Sequence, residues 1–204
     1  RRESRTMSIR GRFKHLLLAL CLVAPTGVAW ADWELDNTES VVNFVSIKNN
    51  SVGEVNTIKS LEGSIGVHGM AHLTLHLNSV ETLIEIRNER MRKLLFETAE
   101  FPVARVTAEV DPALFAASNG GGVRQVDLPL TLEMHGREKV LNAFVSVVVE
   151  NDGDLIVTTT HPVLVNAADF GLEGGIEALR KVAGLHSIST VTPVSMQLKF
   201  VRTK

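Results

Sequence analysis

Apolar and polar residues alternate through most of the chain, and this alternation constrains the fold more than any other feature. In "VARVTAEV", Ala104, Val106 and Ala108 alternate with polar or charged neighbours, and "VDLPLTLEM" repeats the pattern through Leu130 and Leu132. Successive side chains of a strand point to opposite faces of a sheet. A period of two therefore predicts strands with one buried face, and the protein is predicted to be all-β.

The alternation predicts eight or nine strands, the first of which is only a short lead-in. Many antiparallel strands with one apolar face each must bury those faces together, either in a sandwich or in a closed barrel. The short gap between Met134 and Lys139 indicates a hairpin. The predicted strands cover residues 33–36, 41–47, 61–67, 71–80, 103–110, 125–134, 139–150, 155–165 and 188–201.

Two short helices are predicted between the strands. The first spans residues 89–99, with Asn88 as its N-terminal cap and a stop at Pro102. The second spans residues 176–183 and ends before Gly184.

The N-terminal 31 residues have the pattern of a cleavable secretory signal. Basic residues precede the short apolar run "LLLALCLVA", and Ala29 and Ala31 form a small-residue cleavage site. We expect residues 32–204 to form one exported domain in the periplasm. Of the 21 Lys and Arg residues, 15 lie in that domain, and of the 23 Asp and Glu residues, 22 do. This excess of acidic residues argues against nucleic acid as a partner. Cys21, the only cysteine, would leave with the signal.

Several segments, in order, resemble the YceI-like family over residues 33–201. They are "WELD", "SVVNF", "LEGSIGV", "LNSVETLIEIRNERMRKLLFETAEFPVARVTAEV", "LPLTLEMHGREKVL" and "NAADFGL". Members of this family are secreted bacterial proteins that bind polyisoprenoids and other long-chain amphipathic lipids. The resemblance implies a lipocalin-like antiparallel β-barrel of about eight strands.

An eight-stranded barrel has a lumen that is just wide enough for packed side chains or for one slender ligand. Packed side chains are the more common outcome in all-β chains, whereas the family resemblance favours a cavity. The residues predicted to face the lumen are aliphatic or small, apart from Phe44. They are Val42, Phe44, Leu73, Leu75, Leu77, Ala104, Val106, Ala108, Leu130, Leu132, Ala143, Val145, Val147, Val194, Met196 and Leu198.

The resemblance implies a periplasmic carrier that holds a polyisoprenoid tail, such as that of a quinone, without a catalytic cofactor. Two alternatives remain at this point. The protein could be an enzyme acting on an amphipathic substrate, with Arg87, Arg90 or Asp169 as weak candidate residues. It could instead be an interaction module with a solid barrel, whose acidic surface meets a transient membrane or redox partner.

The cluster of basic residues before the first predicted helix is unexpected, because cations are unfavourable at a helix N-terminus. Arg87 and Arg90 allow two interpretations. They could pair with barrel carboxylates such as Asp36 or Asp169. Alternatively, one of them could face the lumen entrance, anchor the lid and contact the head group of the ligand.

Neither a metal site nor a familiar enzyme motif is predicted. His72 and His76 are four residues apart, which on a strand separates them by about 13 Å, too far to share an ion. The patterns G-x-S-x-G and H-E-x-x-H and the phosphate-binding P-loop do not occur.

Overall fold

The structure, a computed structural model, describes residues 31–115 and 122–203. The predicted signal sequence lies in residues 1–31 and so falls outside the described residues apart from its last position. None of the helices within the described ranges is long and apolar enough to cross a membrane.

Eight antiparallel strands form a closed barrel. Around the ring their order is β1, β3, β4, β6, β7, β8, β9 and β11, and pairing of β11 with β1 closes the circle, from Trp33 opposite Arg202 to Phe44 opposite Val194. The predicted eight-stranded antiparallel barrel with two short helices is confirmed. The eleven strands in the described ranges are β1 Ala31–Lys48, β2 Val52–Ile58, β3 Leu61–Gly66, β4 Met70–His76, β5 Val80–Glu81, β6 Val103–Glu109, β7 Gly122–Met134, β8 Arg137–Val149, β9 Leu155–Thr159, β10 Val163–Asn166 and β11 Val191–Arg202.

Three strands outside the ring were not predicted as separate elements. Strand β2 pairs with the second half of β1, and the short β5 pairs with β2. Strand β2 is not predicted from alternation because the polar residue Asn56 occupies one of its buried positions. Strands β9 and β10 were predicted as one strand, but the chain leaves the sheet between them, where Pro162 cannot donate to a ladder.

Two predicted strands, 33–36 and 41–47, are in fact one long strand, β1. Its pairing with β11 shifts between Asp36 and Val41, which marks an irregularity of the β-bulge type. The polar residues at this irregularity interrupted the alternation, so the sequence indicated two strands.

The two ends of the barrel differ in how the strands are connected. At one end the connections include the helices, whereas at the other end β3 joins β4, and β8 joins β9, through short turns. At the helical end, the predicted hairpin between β7 and β8 is confirmed as a two-residue turn. His135 and Gly136 have φ values of 52° and 71°, as a type I′ turn requires.

The first helix begins earlier than predicted. Helix α1 spans Glu85–Arg90 and continues into one π-helical turn, Met91–Leu95. Asn88 is therefore not a cap: it lies inside α1 and its side chain is buried. The prediction failed because the structure before α1 is held by side-chain hydrogen bonds that a local capping rule does not describe.

This earlier start removes the apparent conflict between the basic cluster and the helix dipole. Glu85 lies in the first turn of α1, whereas Arg87 and Arg90 lie in its last turn. Acidic residues near the N-terminus and basic residues near the C-terminus both favour a helix. The charges of this segment therefore follow the dipole and do not oppose it.

The second helix, α2, spans Glu173–Val182 and so begins three residues before the predicted range. Ile176 and Leu179 face the core, and Gly184 follows the helix with a φ of 63°, as is typical of a helix C-terminus. We call residues 85–96 together with α2 the lid, because they cover one end of the barrel.

Candidate binding cavity

The lumen is not completely filled by side chains. A cavity of about 180 Å³ lies beneath the lid, and we call it the upper cavity. Its lining is apolar apart from the side chains of Thr159 and Thr192. An apolar cavity of about 150 Å³ in an engineered protein stays dry and binds benzene, so a space of this size and character favours an apolar ligand over water.

A second, smaller cavity of about 70 Å³ lies deeper in the barrel, and we call it the lower cavity. Four residues line both cavities and form a waist between them: Leu73, Val106, Leu130 and Met196. Met196 is unbranched and has three rotatable bonds, so it is the side chain of the waist that can most readily move aside.

Most of the residues predicted to face the lumen line these cavities. Besides the four waist residues, those lining the upper cavity are Val42, Phe44, Leu75, Leu77, Ala104, Leu132 and Val194. Those lining only the lower cavity are Ala108, Val145, Val147 and Leu198. Ala143 lines neither cavity: it is fully buried in the hydrophobic core. Contact of any of these residues with a ligand stays a prediction.

The roof of the upper cavity comes from the lid. Leu95 and Phe96 follow α1, while Leu172 and Ile176 come from the start of α2. Sequence reasoning missed these four residues because alternation identifies the inner face of a strand but not the packing of a helix across a barrel mouth. The spacing of Leu172 and Ile176, four residues apart, was the available signal.

The two parts of the lid touch closely at Gly175. A Cβ atom added to Gly175 would lie 2.6 Å from the carbonyl oxygen of Leu94 and 2.8 Å from the Cα of Leu95. A contact below 3 Å with backbone atoms requires the backbone to move. The absence of a side chain at Gly175 therefore allows α2 to pack directly on the π-helical turn.

Arg87 joins the lid to the barrel. One guanidinium nitrogen lies 2.5 Å from Oε2 of Glu54 on β2, and another donates to the carbonyl oxygen of Thr82. Hydrogen bonding from Lys48, aided by Arg87, lowers the pKa of Glu54. Arg87 therefore pairs with a carboxylate, as one of the two interpretations held, but the partner is Glu54 on β2 and not Asp36 or Asp169.

The other proposed charged residues have different surroundings. Asp169 pairs with Lys139 at 3.2 Å, and Asp36 accepts hydrogen bonds from Thr38. The side chain of Arg90 makes neither a hydrogen bond nor an ion pair within residues 31–115 and 122–203. Arg87 and Arg90 are absent from the linings of both cavities, so their predicted contact with a ligand head group has no support from the geometry.

A buried polar cluster supports the loop before α1. Oδ1 of Asn88 accepts hydrogen bonds from the backbone nitrogen of Thr82 at 2.8 Å and from its hydroxyl at 2.6 Å. Nδ2 of Asn88 donates to Glu81. Hydrogen bonds from Lys59 and then from Asn88 lower the pKa of Glu81 from 4.5 to about 2. The carboxylate is thus held in its charged form.

Within the described residues, an aromatic pair covers part of the opposite end of the barrel. The ring of Trp33 lies 4.9 Å from that of Phe115, and its Nε1 donates to the carbonyl oxygen of Gly153 at 2.9 Å. Phe115 also lines the lower cavity.

Near this end of the barrel, a lysine forms ion pairs with an acidic cluster. Carboxylate oxygens of Glu150, Asp152 and Asp154 lie within 4.8 Å of one another, close enough to share a cation. The ammonium of Lys199 contacts Glu150 and lies 3.2 Å from Asp154. Hydrogen bonding to Glu150 raises the pKa of Lys199 to about 12, so an ion pair accounts for the cluster.

A family model of the YceI-like domain matches residues 33–200. The chain belongs to the YceI-like family. The resemblance noted in the sequence is thereby confirmed, and the YceI-like fold supports lipid binding.

Solved structures agree with this YceI-like assignment. A polyisoprenoid-binding domain from Saccharophagus degradans, implicated in plant cell wall breakdown, is 40% identical, with a TM-score of 0.81 over 85% of this chain and 100% of that chain. BcnA from Burkholderia cenocepacia is 17% identical, with a TM-score of 0.60 over 81% of this chain and 98% of that chain, and shows the shared fold alone. No curated protein sequence matches the chain. Neither the family description nor that of the Saccharophagus domain names a catalytic activity.

Proposed function

We propose that this YceI-like protein holds the tail of a polyisoprenoid, or of a similar long-chain amphipathic lipid, in its upper cavity and carries it through the periplasm. The observation that carries the proposal is the apolar cavity enclosed between the barrel wall and the lid. The 40% identical relative, described as a polyisoprenoid-binding domain, supports the choice of ligand class.

The energetics of tail binding need no polar contact. Transfer of a methylene group from water to an apolar site stabilises the complex by about 0.8 kcal/mol. A short stretch of the tail therefore supplies several kcal/mol. The waist allows a longer tail to continue into the lower cavity when Met196 changes rotamer, with the head group on the lid side.

The carrier role and the compartment rest on the sequence. The predicted secretory signal indicates export, and an apolar tail needs a protein carrier to cross an aqueous compartment. A quinone is one ligand that fits, since it combines a polyisoprenoid tail with a small ring. In this role the lipid is cargo, and no catalytic cofactor is needed.

The direct test is to identify the bound lipid. The protein is purified from the periplasm of its native host, and an organic extract is analysed by mass spectrometry beside an extract of a similarly purified periplasmic protein of unrelated fold. We expect a single class of long-chain lipid to be enriched. An extract without enriched lipid, together with a lumen that does not take up an apolar fluorescent probe, would contradict the proposal.

A further inference from the structure

The loop between β5 and α1, together with the first turn of α1, exposes three large apolar side chains at the edge of the lid. Leu83 is 90% exposed, Ile84 48% and Ile86 53%. We call residues 83–86 the apolar tip. Single exposed apolar residues are common. Three within four residues, one of them an almost fully exposed leucine, form a patch that requires an explanation.

The backbone of the apolar tip is held in position. The backbone nitrogen of Leu83 donates to Oε1 of Glu81 at 2.7 Å, and the hydroxyl of Thr82, whose proton goes to Asn88, lies 3.2 Å from the carbonyl oxygen of Ile84. The side chain of Asn88 accepts hydrogen bonds from Thr82, and both residues are almost fully buried. The exposure of Leu83 is thus built into the loop by a network of hydrogen bonds.

Leu83 also adopts a strained backbone conformation. Its φ of 62° lies in the left-handed region. This conformation is unfavourable for residues with bulky side chains, whereas glycine adopts it without steric cost. Strained, exposed positions that the surrounding structure holds in place occur preferentially at functional sites. A glycine would relieve the strain and remove the exposed apolar surface, yet the position carries leucine.

The apolar tip adjoins both the lid and β2. Thr57 pairs with Glu81, two residues before Leu83, and Val55, two residues before Thr57 on β2, is itself 63% exposed. On the other side, the tip leads directly into α1 and the turn whose Leu95 lines the upper cavity. The apolar tip therefore lies on the same chain segment as part of the cavity roof.

The charges around the tip suit a phospholipid surface. Glu81 is paired with Lys59, and Glu85 with Arg92. Within the same lid segment Arg90, Lys93 and Glu89 make no ion pair with any residue of the described ranges, which leaves one net positive charge. Cations beside an inserted apolar side chain can meet lipid phosphates.

We propose that the apolar tip inserts into the surface of a phospholipid bilayer and docks the lid end of the barrel there. This inference rests on the proposed function, because a carrier of a water-insoluble lipid must collect or deliver its cargo at a bilayer. The tip is aliphatic, as insertion among acyl chains requires, and it stands on the lid, through which the cargo would pass. Leu83 is the leading side chain of the contact.

The test measures binding of the full domain to vesicles of phosphatidylcholine containing a minor share of phosphatidylglycerol. Leu83→Asp is compared with Val123→Asp, because Val123 is also exposed, at 66%, but lies at the start of β7, far from the lid. Burial of a leucine side chain is worth about 1.5–3 kcal/mol, so we expect Leu83→Asp to weaken vesicle binding by about tenfold or more. Val123→Asp should bind as the unmodified protein does.

Leu83→Gly provides a second variant that keeps the fold. It should melt at a higher temperature than the unmodified protein, because glycine accepts the left-handed conformation, and it should still lose most of the vesicle binding. A gain in stability combined with a loss of docking would show that the strain at Leu83 serves the membrane contact. Vesicle binding that Leu83→Asp or Leu83→Gly leaves unchanged would overturn the proposal, as would an equal loss in Val123→Asp or no binding by the unmodified protein.

Failure of docking and failure of the carrier function give different results. Uptake of an apolar fluorescent probe in the absence of vesicles reports only on the cavity, and we expect it to be unchanged in Leu83→Asp. A protein that binds vesicles through Leu83 but takes up no probe would support docking and contradict the carrier function. A variant that loses probe uptake together with vesicle binding would overturn docking, since the loop would then belong to the cavity.

Discussion

At the scale of single residues, Arg87 shows how a functional candidate in the sequence becomes a structural residue in the fold. Its guanidinium reaches Glu54 on β2 and the carbonyl oxygen of Thr82, and both Arg87 and Glu54 are about three-quarters buried. A charge-assisted hydrogen bond at such a site contributes more than an exposed ion pair. Arg87 therefore ties the lid to the barrel.

Replacing Arg87 with methionine should destabilise the protein without impairing the cavity. We expect Arg87→Met to lower the free energy of unfolding by about 1–3 kcal/mol, because Glu54 loses one of its two partners inside a partly buried site. Urea unfolding followed by circular dichroism measures this change. Arg90→Met is the matched control and should leave stability unaltered. Loss of lipid retention in Arg87→Met at unchanged stability would instead indicate a head-group contact.

Glu81 makes the stability of the lid region depend on pH. Its pKa is lowered from 4.5 to about 2 in the folded protein, so the folded state holds the carboxylate charged where the unfolded chain would bind a proton. The resulting stabilisation is complete above pH 4.5 and is lost as the pH falls towards 2. Acidification through this range should therefore reduce the free energy of unfolding.

The contribution of Glu81 can be isolated with a neutral variant. Glu81→Gln should show a shallower fall in the free energy of unfolding between pH 4.5 and 2 than the unmodified protein. Glu89→Gln removes an exposed carboxylate that has no ion pair in the described structure, and it should retain the full slope. Identical pH profiles for Glu81→Gln and the unmodified protein would refute this account.

At the scale of elements, the lid depends on close contact between two short helical segments. Neither α1, with six residues, nor α2, with ten, is long enough to be stable alone in water, so packing must hold them. The absence of a side chain at Gly175 allows the contact with Leu94 and Leu95. Leu95 in turn lines the cavity roof.

Gly175→Ala should separate the two parts of the lid. The added Cβ would lie 2.6 Å from the carbonyl oxygen of Leu94, so α2 must shift, and we expect overpacking to cost about 1–3 kcal/mol. The roof should then open more often and release a bound apolar probe faster, which stopped-flow fluorescence can measure. Gly174→Ala meets no atom within 4 Å and should stabilise α2 by about 0.5–1 kcal/mol. Equal release rates for the two variants would argue against a gating lid.

At the scale of the whole molecule, the barrel is a ring of strands around a lumen that the lid covers at one end. Pairing of β1 with β11 leaves no break in the ring, and Trp33 packs on Phe115 at the end away from the lid. The space that remains is divided by the waist into two cavities. Ligand affinity should therefore depend on which cavity is filled.

Filling each cavity separately tests where the tail binds. Ala104 lines the upper cavity and Ala108 the lower one, so Ala104→Leu and Ala108→Leu make the same change at two depths. We expect Ala104→Leu to weaken binding of an apolar fluorescent probe by about tenfold, since the leucine occupies space that the ligand needs. Ala108→Leu should bind the probe with nearly unchanged affinity. Normal binding by both variants would favour the alternative of an interaction module whose lumen is not used.

The barrel and its inner face could be predicted from sequence because both follow from local periodicity. Alternation assigns each strand residue to one of two faces, and the buried face of most strands was predicted from it. It failed at Asn56, where a buried polar residue hides β2, and at residues 36–41, where an irregularity interrupts β1. The family resemblance added the closure of the strands into one ring.

The lid and its anchors were decided only by the tertiary structure. The start of α1 depends on hydrogen bonds between Asn88 and Thr82, and the partner of Arg87 depends on the register of β2, which places Glu54 33 residues away in sequence within reach. The division of the lumen at Met196 likewise depends on how side chains from several strands meet. The sequence by itself determined which residues would be inside the barrel, because facing is a local property of a strand. Which of them enclose a space, and what covers it, depends on contacts between distant parts of the chain.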